Sequence, residues 1–277
     1  MDISLIYFSQ TGNTRKVAKA MEGVFKSENH SVRTISYKKV TQSDFVEPEV
    51  IGVGAPCFES QAPSIVREYL WSLPKLDNKK AFVFSTSGGG PGKVLYDLAK
   101  PLMKKGAEVV GGFLCRGTLF YPIPCLIGRF PDRPNEQDLL TAKDFAKNLL
   151  AHLSSGNEGP MPDSRSDAFK HGLGFYQIAG AMLNDPLLRF LMPKPKVDED
   201  KCTECKWCEA ECPTKSMKLS PMPVVAKTCF RCYRCITGCP EDALSVRWGI
   251  SNFIVWTLYN QTFERWLGDI QKGEIIY

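Results

Sequence analysis

The stretch Met1-Asp2-Ile3-Ser4-Leu5-Ile6-Tyr7-Phe8-Ser9-Gln10-Thr11-Gly12-Asn13-Thr14 decides the fold of the larger part of this 277-residue chain. Its first eight residues are a short apolar run rich in strand formers. A Ser/Thr/Gly loop follows, and then a helical pattern to about Phe25, so the unit reads as strand, loop, helix. The same rhythm continues downstream, with strands expected at 31–36, 50–55, 80–86 and 108–115 and helices at 63–73, 92–106 and 136–153. Buried strands alternating with helices imply a parallel sheet covered on both faces. Right-handed crossovers between five such strands give an α/β, doubly wound sheet of order 2-1-3-4-5.

In an open parallel sheet the ligand binds at the carboxyl ends of the strands. Ser9, Gln10, Thr11, Gly12, Asn13 and Thr14 lie there, where hydroxyls, backbone N–H groups and the helix dipole suit a phosphate. The loop has no Lys of the kind that P-loop NTPases set against a polyphosphate. A monoester held by neutral donors fits better, and that points to FMN. The loop resembles the phosphate loop of flavodoxins, matching its pattern at Ser9, Thr11, Gly12 and Thr14. The resemblance implies a flavodoxin-like sheet in which loops after the third and fourth strands hold the ring. At those positions stand Gly54-Ala55-Pro56-Cys57-Phe58-Glu59 and Ser85-Thr86-Ser87-Gly88-Gly89-Gly90-Pro91-Gly92. Pro56, Cys57, Ser87, Gly88, Gly89, Gly90 and Gly92 are therefore candidate ring contacts, with Phe58 as the aromatic flank; glycines let the backbone approach closely.

Eight of the 11 cysteines form two copies of CxxCxxCxxxCP, at Cys202, Cys205, Cys208, Cys212-Pro213 and at Cys229, Cys232, Cys235, Cys239-Pro240. The pattern resembles the ligand run of bacterial two-cluster ferredoxins, in which the fourth Cys of each run ligates the other cluster. That resemblance implies one [4Fe-4S] cluster on Cys202, Cys205, Cys208 and Cys239 and a second on Cys229, Cys232, Cys235 and Cys212. Zinc ribbons space their CxxC pairs more widely. A disulfide framework expects a secretory segment, and with no basic-then-apolar stretch at the start a cytoplasmic location is expected. The runs are an internal repeat offset by 27 residues, implying a pseudo-twofold module. So small a module buries too little apolar surface alone, and its clusters supply much of its stability.

As a whole the chain resembles flavodoxin–ferredoxin fusion proteins. The expected organisation is a flavodoxin-like FMN domain at 1–153, a linker with packing helices at 154–196, a two-cluster α+β ferredoxin module at 197–248 and an aromatic packing helix at 249–277. Phe253, Trp256, Tyr259, Phe263 and Trp266 share one face of that last helix, which is too polar to span a membrane. The proline-rich stretch 116–134 is longer than a connection needs. It could roof the flavin with Tyr121, Arg116 or Arg129, or serve as a spacer against the ferredoxin module.

Residues 1–153 carry 20 Lys and Arg against 15 Asp and Glu, whereas 154–277 carry 15 of each. Two clusters at about 2− each take the second part to about −4. Typical flavodoxins are acidic, so a basic domain predicts a flavin couple less reducing than theirs. No dense basic surface suits nucleic acid, and no second GxGxxG unit suits a nicotinamide. His30, His152 and His171 lie outside any motif, and Cys57, Cys115 and Cys125 lie outside the cysteine runs. The function expected is electron transfer between two clusters and FMN, served by redox partner proteins. The alternative is a reductase with a small-molecule substrate over the flavin.

Overall fold

The structure is a computed structural model that describes residues 1–89, 92–156, 159, 161 and 192–257. Its described residues fall into two compact units, one of 1–118 with the chain from 130 to 161, the other of 119–129 with 192–257. Among them no helix is long and apolar enough to cross a membrane.

The first unit holds five parallel strands, β1 (Asp2–Tyr7), β2 (Ser31–Ser36), β3 (Val50–Pro56), β4 (Lys80–Ser87) and β5 (Glu108–Arg116), in the order 2-1-3-4-5. This is the flavodoxin-like sheet that the sequence pattern implies. Helices α1 (Asn13–Ser27) and α5 (Glu136–Ser154) cover one face, and α3 (Ser64–Ser72) and α4 (Val94–Lys104) the other; a short α2 (Ser43–Val46) precedes β3. The apolar positions of α1, Val17, Met21, Val24 and Phe25, recur at helical spacing and bury against Ile3, Leu5, Phe82 and Phe84. β3 and β4 fit each other through size: Gly52 and Gly54 lie opposite Phe82 and Phe84. A Cβ on Gly54 would stand 2.1 Å from the Phe84 ring. The bare backbone of β3 is therefore what lets two aromatic rings fill the middle of the sheet.

The second unit is small and repeats itself. β6 (Lys196–Val197) pairs antiparallel with β9 (Leu244–Ser245), and β7 (Met217–Leu219) with β8 (Pro223–Val225). Two short helices, α6 (Trp207–Glu211) and α7 (Arg234–Thr237), carry the third cysteines of the two runs, Cys208 and Cys235. Trp207 lies over Gly238, where a Cβ would meet its ring at 2.0 Å, and beneath the Arg234 guanidinium at 4.8 Å. Residues 119–129 add Ile123 and Leu126 to a core with Met192, Tyr233 and Trp248. The final described helix, α8 (Gly249–Trp256), packs through Val255 and through Asn252, whose Oδ1 accepts from the Cys125 N–H at 3.1 Å. Phe253 and Trp256, on the expected aromatic face, are exposed and stack on each other. Tyr259, Phe263 and Trp266, the linker helices at 167–191 and Gly90 lie outside the described residues.

Candidate cofactor sites

The carboxyl ends of β1, β3, β4 and β5 gather the first site. Gly12 takes φ +100°, a left-handed conformation open to glycine, and turns the chain directly into α1. No side chain caps that helix start, and Ser9 Oγ reaches only the Arg15 N–H, at 3.4 Å. The Asn13 and Thr14 N–H groups thus remain as donors at the positive end of the helix dipole, which fits a phosphate. Asn13 is tied down by its Nδ2, which donates to Thr118 O at 3.0 Å, over Gly117. The Thr14 hydroxyl is buried and paired with Thr86 Oγ1 at 2.9 Å, so it braces the loop from below against β4.

After β3, Phe58 and Gln61 exchange both backbone hydrogen bonds, at 2.8 and 2.9 Å, around Glu59 at φ +44° and Ser60 at φ +62°. Two positive φ values at the centre make this a type I′ turn built without glycine or asparagine. The Phe58 ring stands edge-on to Phe8 at 6.4 Å. Cys57 donates its N–H to Thr86 O, and burial pushes its thiol up to about 12, so the sulfur stays protonated. After β4, Ser87 Oγ closes a tight turn by donating to Gly89 O at 2.8 Å. Arg116, buried at the end of β5, donates to the same Gly89 oxygen at 2.9 Å and lies 4.6 Å from the Phe130 ring centre. The two loops are locked together: Lys93 N–H donates to Ser60 O, and Ala62 N–H to Asp97 Oδ2, which Lys93 neutralises at 2.9 Å. The structure therefore brings Ser9–Thr14, Pro56–Phe58, Ser87–Gly89 and Gly92 to one edge of the sheet. Sequence reading missed Arg116 as a brace of the 87–89 turn, although its place at a strand end was visible.

In the second unit one cavity is lined by Cys202, Cys205, Cys208 and Cys239, together with Trp207, Leu219, Pro223 and Leu244. Three of these sulfurs come from the first run and one from the second. The other four approach one another as well: burial pushes the Cys232 and Cys235 thiols up, the latter to about 12, and nearby Cys229 and Cys212 act in the same direction. Four cysteines gathered at a partly buried spot are a donor set that fits a [4Fe-4S] cluster. Among the described residues no three His, Cys, Asp or Glu side chains are close enough to share a single metal ion. The fourth sulfurs are cradled alike: Ser216 N–H donates to Cys212 Sγ at 3.2 Å, and Ala243 N–H to Cys239 Sγ at 3.4 Å, donors again 27 residues apart.

The stretch 116–134 is divided. Arg116 stays in the first unit, while Tyr121 donates its hydroxyl to Arg231 O at 3.0 Å and packs on Tyr233 and Trp248. No local pattern announces that exchange.

Comparison with known proteins matches residues 4–138 to the family model described as a flavodoxin domain and residues 195–218 to that of a 4Fe-4S binding domain. An uncharacterized protein of Methanocaldococcus jannaschii is 32% identical over 142 residues, 50% of this chain and 90% of that one. A flavodoxin of Clostridium saccharobutylicum is 32% identical over 123 residues, covering 42% and 77%. Among solved structures, a flavodoxin from the domain Archaea aligns over 56% of this chain and 99% of its own, with 21% identity and a TM-score of 0.44.

Proposed function

The chain belongs to the flavodoxin family and carries a 4Fe-4S binding domain downstream, and from this premise we propose that it is an electron-transfer iron–sulfur flavoprotein holding FMN and two [4Fe-4S] clusters. When bound, the clusters supply single-electron chemistry and FMN supplies a store for two electrons. The protein positions these groups and tunes the charge around them.

In this reading the α1 start and Ser9–Asn13 take the FMN phosphate, with Thr14 bracing them. The turns at 56–61 and 87–92 take the ring, held in register by the Gly92, Lys93 and Asp97 contacts. Cys202, Cys205, Cys208 and Cys239 form one ligand set; Cys229, Cys232, Cys235 and Cys212 form the other. The observation that carries the reading is the cavity lined by Cys202, Cys205 and Cys208 of one run and Cys239 of the other, the grouping that crossed ligation calls for. Redox partner proteins donate to the clusters and accept from the flavin. A relay is favoured over a reductase because Tyr121, the residue expected beside a substrate, is committed to the core of the second unit.

Anaerobic purification with flavin and iron counting tests the proposal directly. About one FMN and about eight irons per chain are expected. Zinc in place of iron, or a chain that takes up no flavin, would overturn it.

A further inference from the structure

The two cysteine loops share a backbone but not a chemistry. Glu204 and Lys206 in the first loop, and Arg231 and Tyr233 in the second, occupy equivalent places 27 residues apart, and all four have φ between +55° and +62°. In the first loop both side chains are exposed, as is Cys205. In the second, Arg231 is 6% exposed and Tyr233 1%. The Arg231 guanidinium donates through Nε to Met192 O at 3.1 Å and reaches the carbonyl of Cys229 at 3.5 Å. Among the described residues no carboxylate pairs with it.

A guanidinium keeps its charge in a protein, and a buried charge requires an opposite one. Backbone carbonyls orient Arg231 without neutralising it. Among the described residues the anionic groups that flank it in the chain are the cysteines of its own loop, Cys229 and Cys232, which belong to the set completed by Cys235 and Cys212. We propose that Arg231 is the counter-ion of the cluster held by that set and raises its potential above that of the cluster held by Cys202, Cys205, Cys208 and Cys239. This inference rests on the two-cluster reading. It makes the exposed Cys205 loop the port for electrons and the Arg231 loop the site where the first electron settles.

The electron count is simple. An external one-electron reductant gives up one electron, and the charge on the four-thiolate assembly beside Arg231 goes from about 2− to about 3− without bond rearrangement. A fixed positive charge at that loop stabilises the more negative form. Glu204, in the equivalent place but exposed to water, is screened.

The test is an electron paramagnetic resonance titration of anaerobic, full-length protein whose iron and FMN have first been counted. Wild type is expected to show two separate one-electron cluster steps. Arg231→Met keeps the bulk and removes the charge; it should move one step to lower potential by about 59 mV, a tenfold change in the oxidised-to-reduced ratio. The other step should stay in place, Arg231→Lys should restore most of the shift, and Glu204→Gln should move neither step. Iron loss in Arg231→Met that Arg231→Lys prevents also supports charge pairing. Unmoved steps at full iron content, equal movement of both steps, or iron loss in both variants would overturn the inference. Fewer than about eight irons in the wild type would instead refute the two-cluster reading itself.

Discussion

Replacing Gly92 with Ala should loosen the grip of the two ring loops on each other, at a cost that the structure lets us work out. Gly92 sits at φ +52°, and a Cβ there would stand 2.1 Å from Ser60 O and 2.4 Å from Ser60 Cβ. The left-handed conformation costs Ala about 1–2 kcal/mol. The nearest obstacle is backbone, so no rotamer change relieves it and the 58–61 turn must move, at about 1–3 kcal/mol. The 2.8 Å bond from Lys93 N–H to Ser60 O is stretched or lost, at about 0.5–1.5 kcal/mol. The smaller conformational freedom of Ala in the unfolded chain returns about 0.4–1 kcal/mol. The net is roughly 1.5–6 kcal/mol, divided between apoprotein stability and FMN affinity according to how far the loops are formed before FMN binds. Expressed wholly in affinity, that is a loss of roughly 10- to 20,000-fold. Fluorescence quenching of FMN titrated with apoprotein, together with thermal melting, reads both shares. Gly23→Ala, with open space in mid-helix, is the comparator and should be neutral or stabilising by about 0.5–1 kcal/mol. A Gly92→Ala protein that melts with the wild type and binds FMN within about twofold of it would refute the steric argument.

Cys212→Ser should abolish the cluster of the 229–235 loop and leave about four of about eight irons; loss confined to the 202–208 loop, read from iron counts and resonance spectra, would refute crossed ligation. Tyr121→Phe removes the 3.0 Å bond to Arg231 O while keeping the ring packing, so heating should bleach the cluster absorbance earlier, by about 1 kcal/mol of stability. Tyr121→Ala should cost about 3–5 kcal/mol in the same assay. Burial opposes the charge on Glu22, but hydrogen bonds from Lys19 and Lys26, at 2.5 and 2.8 Å, outweigh it and hold the carboxyl below its ordinary value. A lowered folded value means stability that is present at neutral pH and lost as pH falls through that value. The melting advantage of wild type over Glu22→Gln should therefore shrink below about pH 4.

Much of this molecule was legible because its signals are periodic. The strand and helix alternation fixes a parallel sheet, and the crossovers fix its order; the observed helices differ from expectation by a residue or two at their ends, as at 64–72 and 94–104. Cys202, Cys205, Cys208 and Cys239, grouped beforehand by the resemblance to two-cluster ferredoxins, line one cavity. Other features carry no local mark. The type I′ turn at Phe58–Gln61 holds Glu59 and Ser60 in left-handed conformations that usually announce themselves by glycine or asparagine. Thr14 matches the phosphate pattern, yet its hydroxyl is spent on Thr86, 72 residues away. Arg231 reads as an ordinary surface cation between two cysteines; only tertiary contacts with Met192 and Tyr121 reveal its burial.

The passage of residues 119–129 into the second unit has a consequence for how the protein matures. Tyr121, Ile123 and Leu126 are made early, on the strand side of α5, but the residues that shelter them, Tyr233 and Trp248, come more than a hundred positions later. Until Tyr233 and Trp248 have been made, Tyr121, Ile123 and Leu126 lack the side chains that bury them. The two halves are interleaved rather than strung in series, so excising the cysteine module leaves a wound in its neighbour.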